Sequence, residues 1–465
     1  MVERNGRPAA LIRAARSLAV GGLSLSVNIR GELFTTVATF LASAVLRLAS
    51  SLILTRLLYP EAYGVVAAIA SILFVIEMLS DVGVIGLLIR HERGNDQAFI
   101  NTLWTFRLAR SVVNAAVTFF AAPSIAHYFG DSSIADPLRV VSVLFLLGGL
   151  SSMAFPLAMR DQRSRIVSFV DLACNAVSTV FVIAYSYFSR DYWGMVFGMV
   201  LDRGLHTLAS YAFYRDRYPR FAVDQDALRA AFSFAKFVMP TSILTMALSQ
   251  FERIALPRLF DLKLLGIYGV GAGVAAPIEA LLSRLCQLVL YPRCTAAFRT
   301  APLSLRDCFY RDNVKLLLVL AALPPLIGGA GQQIVHVLYD NRYQQAGFIV
   351  QVLMIRLSLL SIVRPCESLL VATGDAQAPL IANAARLIWL VPGSLLGYWI
   401  YGFQGFMLVA AMDALPAALY LLSAQQRRGL LFKRFELARL GFMAACWVTS
   451  YAGAYAIGAA WQAIN

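Results

Sequence analysis

Apolar stretches of about 20 residues, with few or no charged side chains, recur along the whole chain of 465 residues. A helix of that length crosses a hydrocarbon core of about 30 Å. Only 14% of the residues are charged, whereas soluble domains have about 25%. The pattern excludes a conventional soluble enzyme and predicts an all-α integral membrane protein.

Thirteen of these stretches are predicted to be membrane spans. Six precede and seven follow the longest polar connection, RDRYPRFAVDQDALRAAFSFAK at 215–236. The predicted organisation is a cytoplasmic arm (1–32), a six-helix bundle (33–214), a cytoplasmic linker (215–232), a second six-helix bundle (233–424) and a basic loop with a thirteenth helix (425–465). The spans are roughly 33–55, 63–89, 108–129, 138–158, 166–189, 192–214, 233–257, 264–291, 312–339, 346–372, 378–401, 404–424 and 440–460.

The basic residues indicate the orientation of these spans. The net charge is +14. The basic residues lie in short clusters between spans, which argues against nucleic-acid binding. Of the 40 Lys and Arg residues, 27 fall in the N-terminal arm and the loops on its side, and 6 in the opposite loops. Cytoplasmic loops carry the excess of positive charge, so the N-terminus is predicted to be cytoplasmic. The opposite loops are short, which leaves no room for an external catalytic domain.

A short phrase recurs near the start of each half. It reads TRLLYPEAYGVV at 55–66 and PRLFDLKLLGIYGVG at 257–271. Arg-Leu and Tyr-Gly-Val recur, with three extra residues between them in the second copy. Six spans per half would give parallel repeats, which is a transporter architecture with its substrate site between the halves near the midplane.

Cysteine and histidine show no pattern of a metal site. No CxxC pair occurs, and the histidines are scattered without the i, i+4 spacing of a metal-binding helix. We therefore predict no metal, no cofactor and no histidine-based chemistry. The residues concerned are Cys174, Cys286, Cys294, Cys308, Cys366, Cys446, His91, His127, His206 and His336.

Charged residues inside the spans are the strongest functional indicators. An ionised side chain at the centre of a spanning helix costs about 2.5 to 3.5 kcal/mol, so each needs a partner or water. Arginine stays charged and offers a fork of donors suited to phosphate; the alternative is pairing with acids for assembly. The arginines are Arg47, Arg203, Arg253, Arg284, Arg356, Arg364 and Arg386. The acids are Glu77, Asp81, Asp171, Asp202, Glu252, Glu279, Glu367 and Asp413.

The spacing of these charges suggests different roles. Arg47 has no acid within one helical turn, which favours a ligand or a partner on another helix. Arg364 lies three residues before Glu367, on the same helix face, which favours a local salt bridge. The side chains of the adjacent residues Asp202 and Arg203 point in different directions from the helix. Each is therefore expected to pair with a residue elsewhere, mainly in a structural role.

The sequence leaves the roles of three carboxylates open. Glu252, next to Arg253, could serve a gate or an anchor. Asp81 and Glu279 could carry a coupling proton if burial favoured their neutral form. For Asp81, in LSDVG, the alternative is a helix restart, because Asp is a good N-cap.

The chain resembles the polysaccharide exporters that flip lipid-linked oligosaccharides, in the superfamily that includes multidrug extruders and the peptidoglycan-precursor flippase. The resemblance covers nearly the whole chain. It rests on the segments TRLLYPEAYGVVA, SDVGVIGLLIR, FINTLWTFRLAR, FERIALPRLFDLKLLGIYGV, LVLYPRCTAAFR and ESLLVATGD. It implies two six-helix bundles around a V-shaped basic cavity, and alternating access driven by an ion gradient.

On this resemblance we expect two groups of functional residues. Substrate binding is expected at Arg47, Arg253, Arg284 and Arg364, and ion coupling or gating at Asp81, Glu252 and Glu279. The resemblance places Glu252 where relatives often have Asp, and Tyr343 where many have Trp.

The expected function is export without covalent chemistry. The chain would flip undecaprenyl-pyrophosphate-linked oligosaccharide repeat units across the bacterial inner membrane, and its partners would be this substrate, membrane lipids, and a polysaccharide polymerase and export machinery. A multidrug or organic-cation extruder would favour acids in the cavity. A peptidoglycan-precursor flippase shares the fold, and a polymerase or ligase would need a sizeable external loop. The glycan and the coupling ion stay open.

Overall fold

A computed structural model describes residues 38–39, 41–161, 163–212, 218–300, 302–375 and 377–464. The predicted arm, 1–32, and the start of the first predicted span lie outside the described residues. The described residues form helices joined by turns and short loops, with no β-strand among them. This confirms the predicted all-α fold.

In the described residues, the first bundle contains nine α-helices. They are α1 (41–57), α2 (Pro60–Leu79), α3 (Val84–Arg90), α4 (Gln97–Phe129), α5 (Ala135–Val141), α6 (Val143–Leu150), α7 (Ala154–Arg160), α8 (Ser164–Ser189) and α9 (Trp193–Ala212).

The second bundle follows the linker, and one more helix packs against it. The segments are α10 (Gln225–Leu259), α11 (Leu262–Leu285), α12 (Tyr291–Thr300), α13 (Leu305–Asp307), α14 (Val314–Gly329), α15 (Gly331–Leu338), α16 (Ala346–Ala372), α17 (Gln377–Ala411), α18 (Ala414–Arg427) and α19 (Lys433–Ile464). Helix α16 is the most buried of the long helices and lies at the centre of this bundle.

Seven helical stretches in the described part of the chain are long and apolar enough to cross a membrane, or eight if one bent pair counts as a single span. One of the seven, Gln377–Arg427, has 51 residues and contains two of the predicted spans. Its backbone leaves the helical conformation at Tyr401 and Gly402, where φ at Gly402 is 59°. Glycine adopts this left-handed value without steric cost, so the chain reverses there between the two spans.

Two predicted spans of the first bundle are broken in the structure. The second is divided into α2 and α3, with Gly83 in the left-handed region at φ 69°. The fourth consists of α5, α6 and α7, interrupted near Ser142 and at 151–153. Apolar composition alone does not reveal such breaks, because apolar residues stand on both sides of each. The helix restart considered for Asp81 is confirmed.

Helix α19 packs along the second bundle. A Cβ atom on Gly328 would collide with the Trp447 ring, and one on Gly329 would lie 2.7 Å from the Ser450 Cβ. The glycines near the end of α14 therefore allow a close helix–helix approach, as small residues do in membranes. The fully buried Arg439 reaches from α19 to the Ser361 carbonyl oxygen on α16.

Candidate functional site

A cavity of about 210 Å³ lies between the bundles and contains Arg47 of α1 and Arg284 of α11. Asp171 of α8 and His206 of α9 also line it. These helices belong to different bundles, so the cavity is formed only where the bundles meet. The structure thus brings together two of the four arginines that the sequence indicates for substrate binding.

His206 lies between two carboxylates in this cavity. Its Nδ1 is 3.5 Å from Oδ1 of Asp171, and its Nε2 is 4.0 Å from Oδ2 of Asp202. Asp202 precedes His206 by one helical turn on α9, while Asp171 comes from the neighbouring helix. Asp202 also accepts a hydrogen bond of 3.2 Å from the Ser178 hydroxyl. Each imidazole nitrogen therefore faces a negative group.

A second cavity, of about 430 Å³, lies within the first bundle. Arg107, Arg110 and Arg203 line it together with Glu77 and Asp81. Arg203 is 4.0 Å from Glu77, and Arg110 is 3.6 Å from Asp81. With three arginines and two acids, this cavity carries a net positive charge.

Asp81 occupies the break between α2 and α3. Its Oδ1 accepts a hydrogen bond of 2.9 Å from the Gly83 backbone N–H, and its Oδ2 accepts one of 3.1 Å from the Ser242 hydroxyl on α10. The carboxylate therefore holds the turn before the helix restarts, and it also connects the first bundle to α10.

A buried network of four charges lies inside the second bundle. Arg356 contacts Glu252 at 2.7 Å and Asp413 at 3.1 Å, and Arg386 contacts Asp413 at 2.7 Å. Asp413 is fully buried, and Glu252 is 2% exposed. Two arginines and two acids make the network electrically neutral, and it joins α10, α16, α17 and the start of α18.

The other residues selected from the sequence lie outside the cavity of Arg47 and Arg284. Arg364 forms the expected local ion pair with Glu367, at 3.1 Å. Arg253 is partly exposed, and Glu279 is exposed.

The bundles are joined at the end of the molecule that carries the α1–α2 turn, which we call the turn end. The Tyr343 hydroxyl donates a hydrogen bond of 3.0 Å to the Leu58 carbonyl oxygen, and Tyr343 is fully buried. Next to it, the Arg342 guanidinium donates to the carbonyl oxygens of Thr55 and Arg56 at 3.4 and 3.3 Å. These contacts close the turn end around the start of α2.

A larger crevice of about 1140 Å³ lies at the same end of the molecule. Residues of both bundles line it, including Glu61 of α2 and Lys263 of α11, whose charged groups are 4.0 Å apart. The crevice and the cavity of Arg47 share no lining residue, so the two spaces are separate in this conformation.

The opposite end, which carries the linker and which we call the linker end, is held by a different set of contacts. Arg93 contacts Asp96 at 2.7 Å and Asp224 at 2.8 Å. Hydrogen bonds from the Arg93 side chain lower the pKa of both carboxyl groups below their ordinary value. The linker backbone also donates to Asn101 and Thr102 of α4, from Arg220 and Asp224.

The position of His206 between two carboxylates was not predicted from the sequence. Its spacing to Asp202, four residues on one helix, was visible in the sequence. Its second carboxylate, Asp171, lies 35 positions away on another helix, and a pattern search along one helix does not find it. The partners in the buried network are likewise spread over four helices.

Comparisons with known proteins agree with this fold. The sequence profile of a family described as "Polysaccharide biosynthesis protein" matches residues 53–347. The chain is 20% identical to the teichuronic acid biosynthesis protein TuaB of Bacillus subtilis over 70% of this chain and 69% of that one. It is 23% identical to the succinoglycan biosynthesis transport protein ExoT of Rhizobium meliloti over 52% of this chain and 48% of that one.

Among solved structures, the lipid II flippase MurJ in an inward closed conformation superposes with a TM-score of 0.72. The match covers 92% of this chain and 93% of MurJ at 12% identity. At that identity the likeness establishes the fold, a two-bundle membrane transporter architecture.

Proposed function

We propose, since the chain belongs to the polysaccharide biosynthesis protein family, that it is a flippase for lipid-linked oligosaccharides. Its substrate would be a repeat unit on undecaprenyl pyrophosphate, moved from the inner to the outer leaflet of the bacterial inner membrane. The excess of basic residues in the loops on the N-terminal side supports a cytoplasmic N-terminus. No covalent step is needed for this transport.

The observation that carries the proposal is the position of Arg47 and Arg284 in one cavity between the bundles. The barrier to flipping is the cost of moving a charged, hydroxyl-rich head out of water. Guanidinium groups replace the lost hydration with charge-assisted hydrogen bonds to phosphate oxygens. Because the two arginines come from different bundles, a bound pyrophosphate would contact both parts that move in alternating access.

The polar cavity in the first bundle supports a path for the sugar part of the head. Its charged and hydroxyl groups, including Arg110, Arg203 and Ser111, offer donors and acceptors for a polyhydroxylated ligand. We propose Arg253 and Arg364 as further contacts, which the head of the substrate reaches as the bundles move. Such movement is the general mechanism of transporters with a site between two repeats.

Ion coupling is assigned in the proposal to carboxylates that respond to bundle movement. Asp81 links the first bundle to α10 through Ser242, at 3.1 Å. Glu252 is buried against Arg356 at 2.7 Å, so its protonation would weaken one contact of the network. Glu279 is exposed on α11, where it can exchange protons with water in an open cavity.

The test is translocation of a fluorescent lipid-pyrophosphate oligosaccharide in proteoliposomes under an imposed proton gradient. We expect Arg47→Ala and Arg284→Ala each to lower the flipping rate about tenfold or more, because a hydrogen bond to a charged group contributes about 1.5 to 3 kcal/mol. Arg229→Ala is the matched control, since Arg229 is 79% exposed and pairs only weakly with Asp226.

Three results would contradict the proposal. Flipping at the same rate in the two cavity variants would remove the role of the arginines. Efflux of small organic cations without flipping of any glycan would favour a drug extruder. Elongation of the oligosaccharide would identify a polymerase.

A further inference from the structure

A titratable side chain lies in the same cavity as the two arginines. Imidazole is the side chain whose ordinary titration falls between pH 5 and 8. His206 has a carboxylate near each ring nitrogen, Asp171 at 3.5 Å and Asp202 at 4.0 Å. Both carboxylates are acceptors, so each N–H group of a protonated imidazole would face an anionic partner.

The charges around His206 come from four helices. Helix α1 contributes Arg47, α11 contributes Arg284, α8 contributes Asp171, and α9 itself contributes Asp202. With a neutral imidazole these four charges cancel. With a protonated imidazole these five charges sum to one positive unit.

The other neighbours of His206 do not change this balance. Helix α7 presents the Phe155 ring, edge-on at 6.4 Å between centroids. Helix α6 carries no charged residue, and the Cys174 thiol on α8 is buried. Arg203, although close in sequence, approaches Glu77 and Gly148 instead.

On the basis of the proposed function, we propose that protonation of His206 controls the affinity of this cavity for the diphosphate head of the substrate. The added positive charge attracts the anion, and the bound anion in turn favours the imidazolium. Such coupling is reciprocal, so proton binding and head binding strengthen each other by the same factor.

The experiment measures binding of farnesyl-pyrophosphoryl-N-acetylglucosamine to the purified full chain in detergent at pH 5.5 and 8.5. The diphosphate of this probe is esterified at both ends, so each phosphate group keeps one negative charge over that pH range. Only the protein therefore titrates. We expect the dissociation constant to be about fivefold or more lower at pH 5.5, the lower end of typical coupling factors.

His206→Gln should abolish the pH dependence and bind at both pH values as the unaltered protein does at pH 8.5. His127→Gln is the matched control, because His127 lies in the turn-end crevice, and it should keep the full pH dependence. Asp171→Asn provides a second variant. It removes one negative charge from the cavity, so it should bind the probe more tightly at pH 8.5 than the unaltered protein does.

Each other outcome overturns a specific statement. If binding requires Arg47 but does not change with pH, or if His206→Gln keeps the pH dependence, the role of His206 is wrong and the flippase proposal stands. Equal binding by Asp171→Asn and the unaltered protein at pH 8.5 would likewise contradict the inference. If the unaltered protein does not bind the probe at either pH, the anion site of the proposed function fails, and the inference with it.

Discussion

Gly64 of α2 and Gly266 of α11 lie against each other where the two bundles cross. A Cβ atom on Gly266 would lie 2.9 Å from the Gly64 backbone nitrogen and would collide with the Pro60 carbonyl oxygen. The reverse holds as well, because a Cβ on Gly64 would collide with the Leu262 carbonyl oxygen. Each glycine is four residues from the start of its own helix. The contact is therefore reciprocal, as expected for two related halves.

We expect Gly64→Ala and Gly266→Ala to separate the bundles at the turn end. Overpacking of a tight contact typically costs about 1 to 3 kcal/mol, which shifts an equilibrium about fivefold or more. Distances between spin labels at Tyr187 and Val337, both exposed, would report this in a cysteine-free background. Gly273→Ala is the control, since nothing lies within 4 Å of a Cβ there. Equal distance distributions in all three variants would contradict the expectation.

The repeat behind this contact could be predicted only in part. In the sequence, the two Tyr-Gly-Val segments align only if the second copy has a three-residue insertion. In the structure, α2 and α11 begin at Pro60 and Leu262, which makes Gly64 equivalent to Gly266 without any insertion. Identical residues favour the alignment of the Tyr-Gly-Val segments. The contact between the helices requires only a small residue one turn after the start of each helix.

Tyr343→Phe should destabilise the closed turn end. The substitution removes the donor of the 3.0 Å hydrogen bond to the Leu58 carbonyl oxygen and leaves a buried acceptor unpaired, at a cost of about 1 to 3 kcal/mol. We expect a lower unfolding temperature in detergent. Tyr401→Phe is the control, because Tyr401 is 78% exposed. An unchanged unfolding temperature in Tyr343→Phe would show that the Tyr343 hydroxyl does not stabilise the closure.

Asp413→Asn should be among the most destabilising single substitutions in the second bundle. Asp413 is the carboxylate that contacts both Arg356 and Arg386. Removing its charge leaves a buried excess of positive charge, and breaking a buried pair in this way costs about 3 to 5 kcal/mol. The free energy of unfolding, measured with denaturant in detergent, should fall accordingly. Asp226→Asn, at an exposed site, should have little effect.

A double variant separates charge from packing in this network. Arg386→Met added to Asp413→Asn restores electrical neutrality, with the Glu252–Arg356 pair left in place. We expect it to recover part of the lost stability. A double variant less stable than Asp413→Asn alone would indicate that Arg386 contributes through contacts other than its charge.

The candidate site could be predicted as far as single helices allow. Arg47 was identified because no acid lies within one turn of it, and the structure places it in a cavity with Arg284. The predicted ion pair of Arg364 with Glu367, on the same helix face, is confirmed. His206 and Asp171 were not paired, since their 3.5 Å contact depends on how two helices pack.

The docking of the linker should depend on pH through Arg93. Hydrogen bonds from Arg93 lower the pKa of Asp96 and Asp224 below the ordinary 3.8. A carboxyl group with a depressed folded-state pKa stabilises the folded contact above its ordinary pKa. That stabilisation is lost as the pH falls through the lower, folded value. The contact should therefore be complete at neutral pH and should weaken below about pH 4.

Hydrogen exchange at the linker amides would measure this effect. The backbone N–H groups of Arg220, Ala222 and Asp224 donate to side chains of α4, so their protection reports docking. After correction for the intrinsic exchange rate, we expect protection to decrease below about pH 4. Arg93→Gln should decrease it already at pH 7, whereas Arg229→Gln, which removes only an exposed pair with Asp226, should not. Equal protection in both variants would mean that the hydrogen bonds to α4 hold the linker without Arg93.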